Sequence, residues 1–105
     1  MYEVLRYVLP NGRVPINEWL DGIRDKVLRN RILLRIKQVE AGNLGDSTAV
    51  GQGVIELKIH HGAGYRIYCG RHGSAVVILL VGGDKSTQAV NIKKAQRFWA
   101  DWKRR

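Results

Sequence analysis

Apolar and polar residues alternate strictly along one stretch near the middle of the chain, from Ile55 to His60. Successive side chains of a β-strand point to opposite faces of a sheet, so this alternation predicts a strand with one apolar face. The apolar positions are Ile55, Leu57 and Ile59, and the polar positions are Glu56, Lys58 and His60.

A tight turn follows at Gly62-Ala63-Gly64. Gly64 suits the left-handed conformation that a three-residue hairpin loop commonly needs at its last position. Such a loop would place His61 opposite Tyr65 and begin a second, antiparallel strand. The predicted register pairs His60 with Arg66, Lys58 with Tyr68 and Glu56 with Gly70. The polar face of this hairpin then collects Glu56, Lys58, His60, Arg66 and Tyr68.

Two further apolar segments predict strands. Ala75 to Val81 is continuously apolar, as expected for a central strand covered on both faces. A turn at His72-Gly73-Ser74 joins it to the hairpin, and Gly82-Gly83-Asp84 ends it. Tyr2 to Leu9 predicts an N-terminal strand that is largely buried.

Helical periodicity predicts a helix hairpin between the N-terminal strand and the sheet. The first helix begins at Pro15, which suits a first helical turn, and ends near Gly22. The second has Asp25 as a candidate N-cap and runs to about Ala41, with Gly42 just beyond its end. Its outer surface is strongly basic, which fits either a solvated face or contact with nucleic acid. The basic residues are Arg24, Lys26, Arg29, Arg31, Arg35 and Lys37.

A last helix is predicted after the sheet, with Asp84 or Ser86 as its cap. Its aromatic residues, Phe98, Trp99 and Trp102, are expected to pack on the sheet or on the neighbouring helices rather than to stack on bases. The cationic tail from 103 to 105 is expected to fray, and the polar segment from 43 to 52 predicts a loop. The chain, residues 1–105, is therefore expected to be a single α+β domain: an N-terminal strand, a two-helix hairpin, a three-stranded antiparallel sheet and a C-terminal helix.

The charge balance is the most informative feature of the composition. Eighteen Lys and Arg residues against nine Asp and Glu residues give a net charge of +9. This excess favours a polyanionic partner, although a basic protein with no such partner has the same composition. The N-terminus lacks the pattern of a signal peptide, and the longest apolar run is too short to span a membrane. With one cysteine and no secretion signal, the expected location is the cytoplasm.

The residue types of the hairpin suggest a chemistry. The His and Cys residues lack zinc-ligand spacing, no acidic cluster suits magnesium, and Cys69 is expected in the core. Cleavage of RNA needs neither a metal nor a protein nucleophile, because the substrate supplies its 2′-hydroxyl. The enzyme must stabilise charge on the phosphate and move protons. Glu56, Lys58, His60 and Arg66 include groups for both tasks, but cross-strand charges are also common as ordinary surface pairs.

The chain resembles the RelE/ParE superfamily of toxins from bacterial toxin–antitoxin modules, and within it the Gp49-like, HigB-related addiction-module killer proteins. The resemblance rests on WLDGI near the start, GVIELKIHHGAGYRIYCG in the hairpin and LLVGGDKSTQAVNIKKAQRFWADW at the end. It implies a RelE-like fold and a basic, concave sheet that faces mRNA in the ribosomal A site. Members cut that mRNA during translation, usually without a metal or other cofactor.

The resemblance also implies residue roles. Lys58 matches a basic position of the family hairpin, Arg66 matches the arginine that stabilises the phosphate, and Lys85 matches a further basic position. Glu56 stands where some members carry a basic residue, and His60 has no assigned counterpart, so both remain candidates by position on the hairpin alone. The catalytic tyrosine that some members carry in the C-terminal segment is absent here.

The resemblance leads to a main expectation and two alternatives. The main expectation is a ribosome-dependent mRNA endonuclease, held in check by a small cognate antitoxin with an acidic binding segment and, often, a helix-turn-helix domain. The first alternative is a ParE-like inhibitor that binds DNA gyrase without catalysis. The second is a nucleic-acid-binding module that has lost its toxicity.

Overall fold

The computed structural model describes residues 1–105 without a gap, and it contains three α-helices, five strands and one short 3₁₀ turn. In chain order the elements are β1 (Glu3–Arg6), α1 (Pro15–Asp21), α2 (Lys26–Glu40), β2 (Ser47–Ala49), β3 (Val54–Ile59), β4 (Tyr65–His72), β5 (Val76–Gly83), the 3₁₀ turn (Lys85–Thr87) and α3 (Gln88–Arg104).

The strands form one five-stranded sheet in the order β1-β5-β4-β3-β2. The predicted antiparallel strands β3, β4 and β5 form its centre, as expected. Two edge strands enlarge the three-stranded sheet that the sequence predicted. β2 lies inside the predicted loop from 43 to 52, and β1 pairs in parallel with β5. The prediction of a largely buried N-terminal strand is wrong, because β1 is an edge strand with three of its four residues exposed.

The register of the central hairpin differs from the prediction by two residues. Lys58 pairs with Arg66 and Glu56 pairs with Tyr68, so the turn spans 60 to 64 rather than three residues. Gly62 and Gly64 both adopt positive φ angles, of 54° and 77°, which permits the longer turn. Because the error is an even number of residues, the predicted division of side chains between the two faces of the strands is confirmed.

Helices cover both faces of the sheet, and each face has its own apolar cluster. Helices α1 and α2 pack on one face, where the cluster includes Ile16, Ile32, Leu57 and Cys69. Helix α3 packs on the other face through Trp99 and Ala95. The expected packing of the C-terminal aromatics on the sheet is therefore confirmed, as is the buried position of Cys69. The polar face of the hairpin lies on the α3 side and is partly covered rather than open to solvent.

Local capping explains where the second helix begins and ends. The Asp25 side chain accepts hydrogen bonds from the backbone N–H groups of Val27 and Leu28, which satisfies donors that the first helical turn leaves free. Gly42, just beyond the end of the helix, has φ 97°, a left-handed conformation that glycine adopts without strain. Both capping predictions are confirmed.

One member of the predicted basic surface of α2 lies inside the protein instead. Arg35 is only 9% exposed, and its guanidinium donates to the backbone carbonyls of Leu44, Asp46 and Lys58. These hydrogen bonds tie α2 to the ends of β2 and β3. The spacing of Arg35, three residues after Ile32 and four before Val39, places it on the buried face of the helix.

The C-terminal tail is ordered, contrary to the expected fraying. Helix α3 continues to Arg104, and Arg105 donates hydrogen bonds to the carbonyl of Val8 and to the carboxylate of Asp101. Asp101 also accepts a hydrogen bond from the Tyr7 hydroxyl at 2.6 Å. The end of the chain is thereby fastened to the segment that follows β1. At the other end of α3, Asp84 caps the preceding 3₁₀ turn.

Candidate functional site

An open cleft of about 590 Å³ lies at the turn end of the β3–β4 hairpin. Four of the five candidate residues from the sequence line it: Lys58, His60, Arg66 and Lys85. Lys58 and Arg66 are direct cross-strand partners, so the corrected register places them closer together than the predicted one did. The cleft therefore brings three permanent cations and a histidine to one place.

Lys85 reaches the cleft because the 3₁₀ turn after β5 lies against the hairpin turn. Its backbone N–H donates to the carbonyl of Ala63 at 3.5 Å. Gly64 lies between Lys85 and Arg66, and a Cβ at that position would come within 3.3 Å of Arg66 Nη1 and 3.7 Å of Lys85 Cβ. Arg66 also donates a hydrogen bond to the Gly64 carbonyl. A glycine at 64 thus allows both the turn conformation and the approach of two cations.

The fifth candidate, Glu56, lies beneath the cleft rather than in it. It is 2% exposed, and its carboxylate Oε2 accepts hydrogen bonds from the Tyr68 hydroxyl and from Gln88 Nε2, each at 2.9 Å. The same oxygen is 3.4 Å from Arg66 Nε, a buried nitrogen that has no hydrogen-bond partner. That contact is an ion pair without hydrogen-bond geometry. Glu56 therefore holds the inner part of the Arg66 side chain from below.

Burial has a clear effect on the tyrosine of this cluster. Tyr68 is fully buried, and burial together with its hydrogen bond to Glu56 raises the pKa of the phenol well above its usual value. The hydroxyl stays protonated and donates to the carboxylate. Tyr68, which the sequence placed on the polar face with Lys58, is accordingly a support for Glu56 and lies outside the cleft.

His60 is exposed at the start of the turn, and a residue from another element orients it. Its Nε2 lies 2.8 Å from Asp46 Oδ2, just before β2. Asp46 gave no signal in the sequence, because it sits in a polar segment without periodicity. The contact between these residues depends on how β2 pairs with β3.

His61 in the hairpin turn and Tyr65 at the start of β4 also line the cleft, and neither is among the candidates predicted from the sequence. His61 is half-buried, with Nε2 3.6 Å from Asp25 Oδ2, and its ring centre lies 6.4 Å from that of Tyr65. Tyr65 was assigned to the apolar face by the alternation of the strand, yet it lies at the strand end and reaches the cleft. Imidazole and phenol groups can both exchange protons with a substrate. The cleft contains three of them, on His60, His61 and Tyr65.

The electrostatics of the cleft favour an anionic ligand. Lys58 and Lys85 form no ion pair with a carboxylate, so their charges face the open cleft. The nearest acidic neighbour of Lys85 along the chain is Asp84, whose pKa is lowered chiefly by its hydrogen bond to Ser86, with a smaller contribution from the charge of Arg66. A planar guanidinium and two ammonium groups are suited to the oxygens of a phosphate.

No group of three or more His, Cys, Asp or Glu side chains is placed to hold a metal ion. None of the helices combines the length and apolar character needed to cross a bilayer.

Two comparisons place the chain among known sequences. The profile of the family described as phage derived protein Gp49-like matches residues 18–98, a segment that contains the whole cleft. An uncharacterised protein from Haemophilus influenzae is 42% identical over 80 residues, which cover 76% of this chain and 81% of that protein.

Proposed function

Because the chain belongs to the phage-derived protein Gp49-like family, we propose that it is the toxin of a type II toxin–antitoxin module. Its proposed activity is metal-independent, ribosome-dependent endonucleolytic cleavage of mRNA. The observation that carries the proposal is the joining of Lys58, Arg66 and Lys85 in one open cleft, with Arg66 held from below by Glu56.

The three cations supply the charge stabilisation that this reaction requires. When the 2′-hydroxyl oxygen attacks the adjacent phosphorus, the bond to the 5′-oxygen breaks and a 2′,3′-cyclic phosphate forms. The phosphate gains negative charge in the transition state, where pre-positioned cations are most effective. Arg66 is the least mobile of the three, so it is assigned to the phosphate oxygens, while Lys58 and Lys85 flank it.

Two protons must also move. One leaves the attacking 2′-hydroxyl and one reaches the departing 5′-oxygen. His60, His61 and Tyr65 line the cleft and can serve as donor or acceptor. Glu56 is unsuited to either role, because it is 2% exposed and its Oε2 already accepts two hydrogen bonds inside the protein.

The proposed partners are mRNA on the ribosome and a cognate antitoxin with an acidic binding segment. The net charge of +9 supports both, since the first is polyanionic and the second would neutralise the toxin. A protein that acts on the ribosome would work in the cytoplasm.

The test is an in vitro cleavage assay with programmed ribosomes and a 5′-labelled mRNA, at the magnesium concentration that keeps the ribosomes assembled. Lys85→Met is expected to lower the cleavage rate by about 100-fold, the size of loss expected when one stabilising charge is removed. Lys93→Met is the matched control, because Lys93 is an equally exposed lysine on α3 outside the cleft, and it should cleave like the wild type.

Three outcomes would contradict the proposal. Equal cleavage rates for Lys85→Met and the wild type would show that Lys85 in the cleft does not take part in the reaction. Cleavage products that end in a 3′-hydroxyl, with no 2′,3′-cyclic phosphate, would contradict the attack by the 2′-hydroxyl. Growth arrest on induction with intact mRNA and double-strand DNA breaks would instead identify the gyrase inhibitor.

A further inference from the structure

The outer surface of α2 carries an apolar ridge that nothing in the protein covers. Leu34 is 65% exposed and Val27, seven residues earlier, is 58% exposed, with Leu33 beside them at 37%. Seven residues are two helical turns, or about 10.5 Å along the axis. Residues seven apart differ by only about 20° around the helix axis, so Val27 and Leu34 share one face of α2.

Leu34 stands between two shallow grooves. One, of about 450 Å³, runs from Leu34 to the hairpin and is lined by Arg31, Asp46, Lys58 and His60. The other, of about 380 Å³, lies on the far side of Leu34, between Asn30 and Lys37. A leucine flanked by two grooves matches the knob-and-groove contact through which an amphipathic helix binds.

The charged helix neighbours of Leu34 are cationic, and the one carboxylate that lines the larger groove, Asp46, is paired with His60. Arg31 and Lys37 lie one turn before and one turn after Leu34, and neither forms an ion pair. Lys26 is likewise unpaired beside Val27. Every charged side chain in the ring of helix neighbours around Leu34 is therefore cationic and free to bind a carboxylate.

We propose that the Val27–Leu34 ridge is the docking surface for an acidic amphipathic helix. Leucine-type residues spaced seven apart would cover the ridge, and flanking carboxylates would pair with Arg31 and Lys37. This identification rests on the proposed function in one respect: the helix is taken to be a segment of the antitoxin.

The position of the ridge gives the docked helix a regulatory effect. The larger groove shares Lys58 and His60 with the cleft, so a helix seated in that groove covers the side of the cleft that these residues form. It also neutralises Lys58. Binding at the ridge and entry of RNA into the cleft are therefore mutually exclusive.

The experiment is calorimetric titration of the full chain with a synthetic peptide of about three heptads. The peptide has leucine at the a and d positions and glutamate elsewhere, and one control peptide has the same composition in scrambled order. Leu34→Ser is expected to weaken binding by about tenfold, as loss of the remaining burial of one leucine implies. Val90→Ser is the matched control, because Val90 is 64% exposed on α3, on the opposite side of the sheet, and it should bind like the wild type.

A second variant and a competition assay complete the test. Arg31→Glu should weaken binding without altering the fold, since Arg31 is exposed and unpaired. The peptide should displace a fluorescent RNA oligonucleotide from the wild type. The proposal is overturned if the scrambled peptide binds equally well, if Leu34→Ser and Val90→Ser behave alike, or if the peptide and RNA bind together. It is also overturned if sedimentation shows a wild-type dimer that Leu34→Ser dissociates, because a second copy then occupies the ridge.

These outcomes are separable from failure of the proposed function. Peptide binding is measured without ribosomes and without cleavage. A chain that cleaves no mRNA but binds the peptide through Leu34 would refute the nuclease and leave the docking surface in place.

Discussion

Replacing Glu56 by glutamine tests whether the buried carboxylate supports the cleft through its charge. The substitution keeps the shape of the side chain and one carbonyl oxygen that can still accept from Tyr68. It removes the negative charge 3.4 Å from Arg66 Nε and leaves a guanidinium that is 9% exposed without an anion. Removal of one partner of a buried ion pair costs about 3 to 5 kcal/mol. Because the hydrogen bond to Tyr68 can survive, we expect the lower end, about 3 kcal/mol.

That loss is a large part of the stability of a domain of this size, which is typically about 5 to 15 kcal/mol. It corresponds to a fall in the melting temperature of about 12 to 24 °C. The assay is urea unfolding followed by tryptophan fluorescence, with melting followed by circular dichroism. The matched control is Glu40→Gln, the same chemical change at an exposed carboxylate without an ion pair, which should alter stability by less than about 0.5 kcal/mol.

The same reasoning predicts a coupling between Glu56 and Tyr68. Tyr68→Phe removes a hydrogen bond to a charged acceptor, which contributes about 1.5 to 3 kcal/mol. In a double-mutant cycle with Glu56→Gln the two changes should be non-additive by at least about 0.5 kcal/mol. A Glu56→Gln protein within about 1 kcal/mol of the wild type would refute the reasoning, because Arg66 would then be stabilised by something other than Glu56.

Two further predictions concern α3. Gly70→Ala should destabilise the protein by at least about 2 kcal/mol, because the added Cβ would lie 2.3 Å from the ring of the buried Trp99. Urea unfolding measures this loss of stability. The control is Gly22→Ala, where the added Cβ makes only an ordinary contact at 3.5 Å. Burial and the hydrogen bond to Asp101 raise the pKa of Tyr7 to about 12. The contribution of the Tyr7 hydroxyl to folding stability is therefore complete below pH 10 and is lost as the pH rises toward 12. The melting temperature of Tyr7→Phe should fall less steeply than that of the wild type over this interval, and equal slopes for the two proteins would contradict the prediction.

The sequence predicts which face of the hairpin each side chain points to, but it does not predict how deeply that side chain is buried. Alternation with period two assigns Glu56 and Lys58 to one face, and this survives a register error of two residues. The same pattern could not show that α3 covers part of that face. Glu56 is buried and accepts a hydrogen bond from Gln88, the first residue of α3, whereas Lys58, two residues on, reaches the cleft.

The parts of the site that the sequence missed depend on contacts between distant segments. Asp46 meets His60 only because β2, which has no apolar alternation, pairs with β3. Arg35 has the spacing of the buried face, between Ile32 and Val39, but the three backbone carbonyls that satisfy its charge come from other segments. Tyr65 lies at a strand end, where the apolar face of the strand opens into the cleft. Local periodicity carries no information on any of these contacts.

The burial of Arg66 also bears on how the cleft would bind an anion. A solvated arginine samples many rotamers, and fixing them on binding costs about 2 kcal/mol. In this protein Glu56 and the Gly64 carbonyl already hold the guanidinium, so most of that entropy is lost during folding. Lys58 and Lys85 have no such restraint. Affinity for a phosphate should therefore come with a small entropic penalty at Arg66 and a larger one at each lysine, which makes the arginine the fixed reference around which the two lysines adjust.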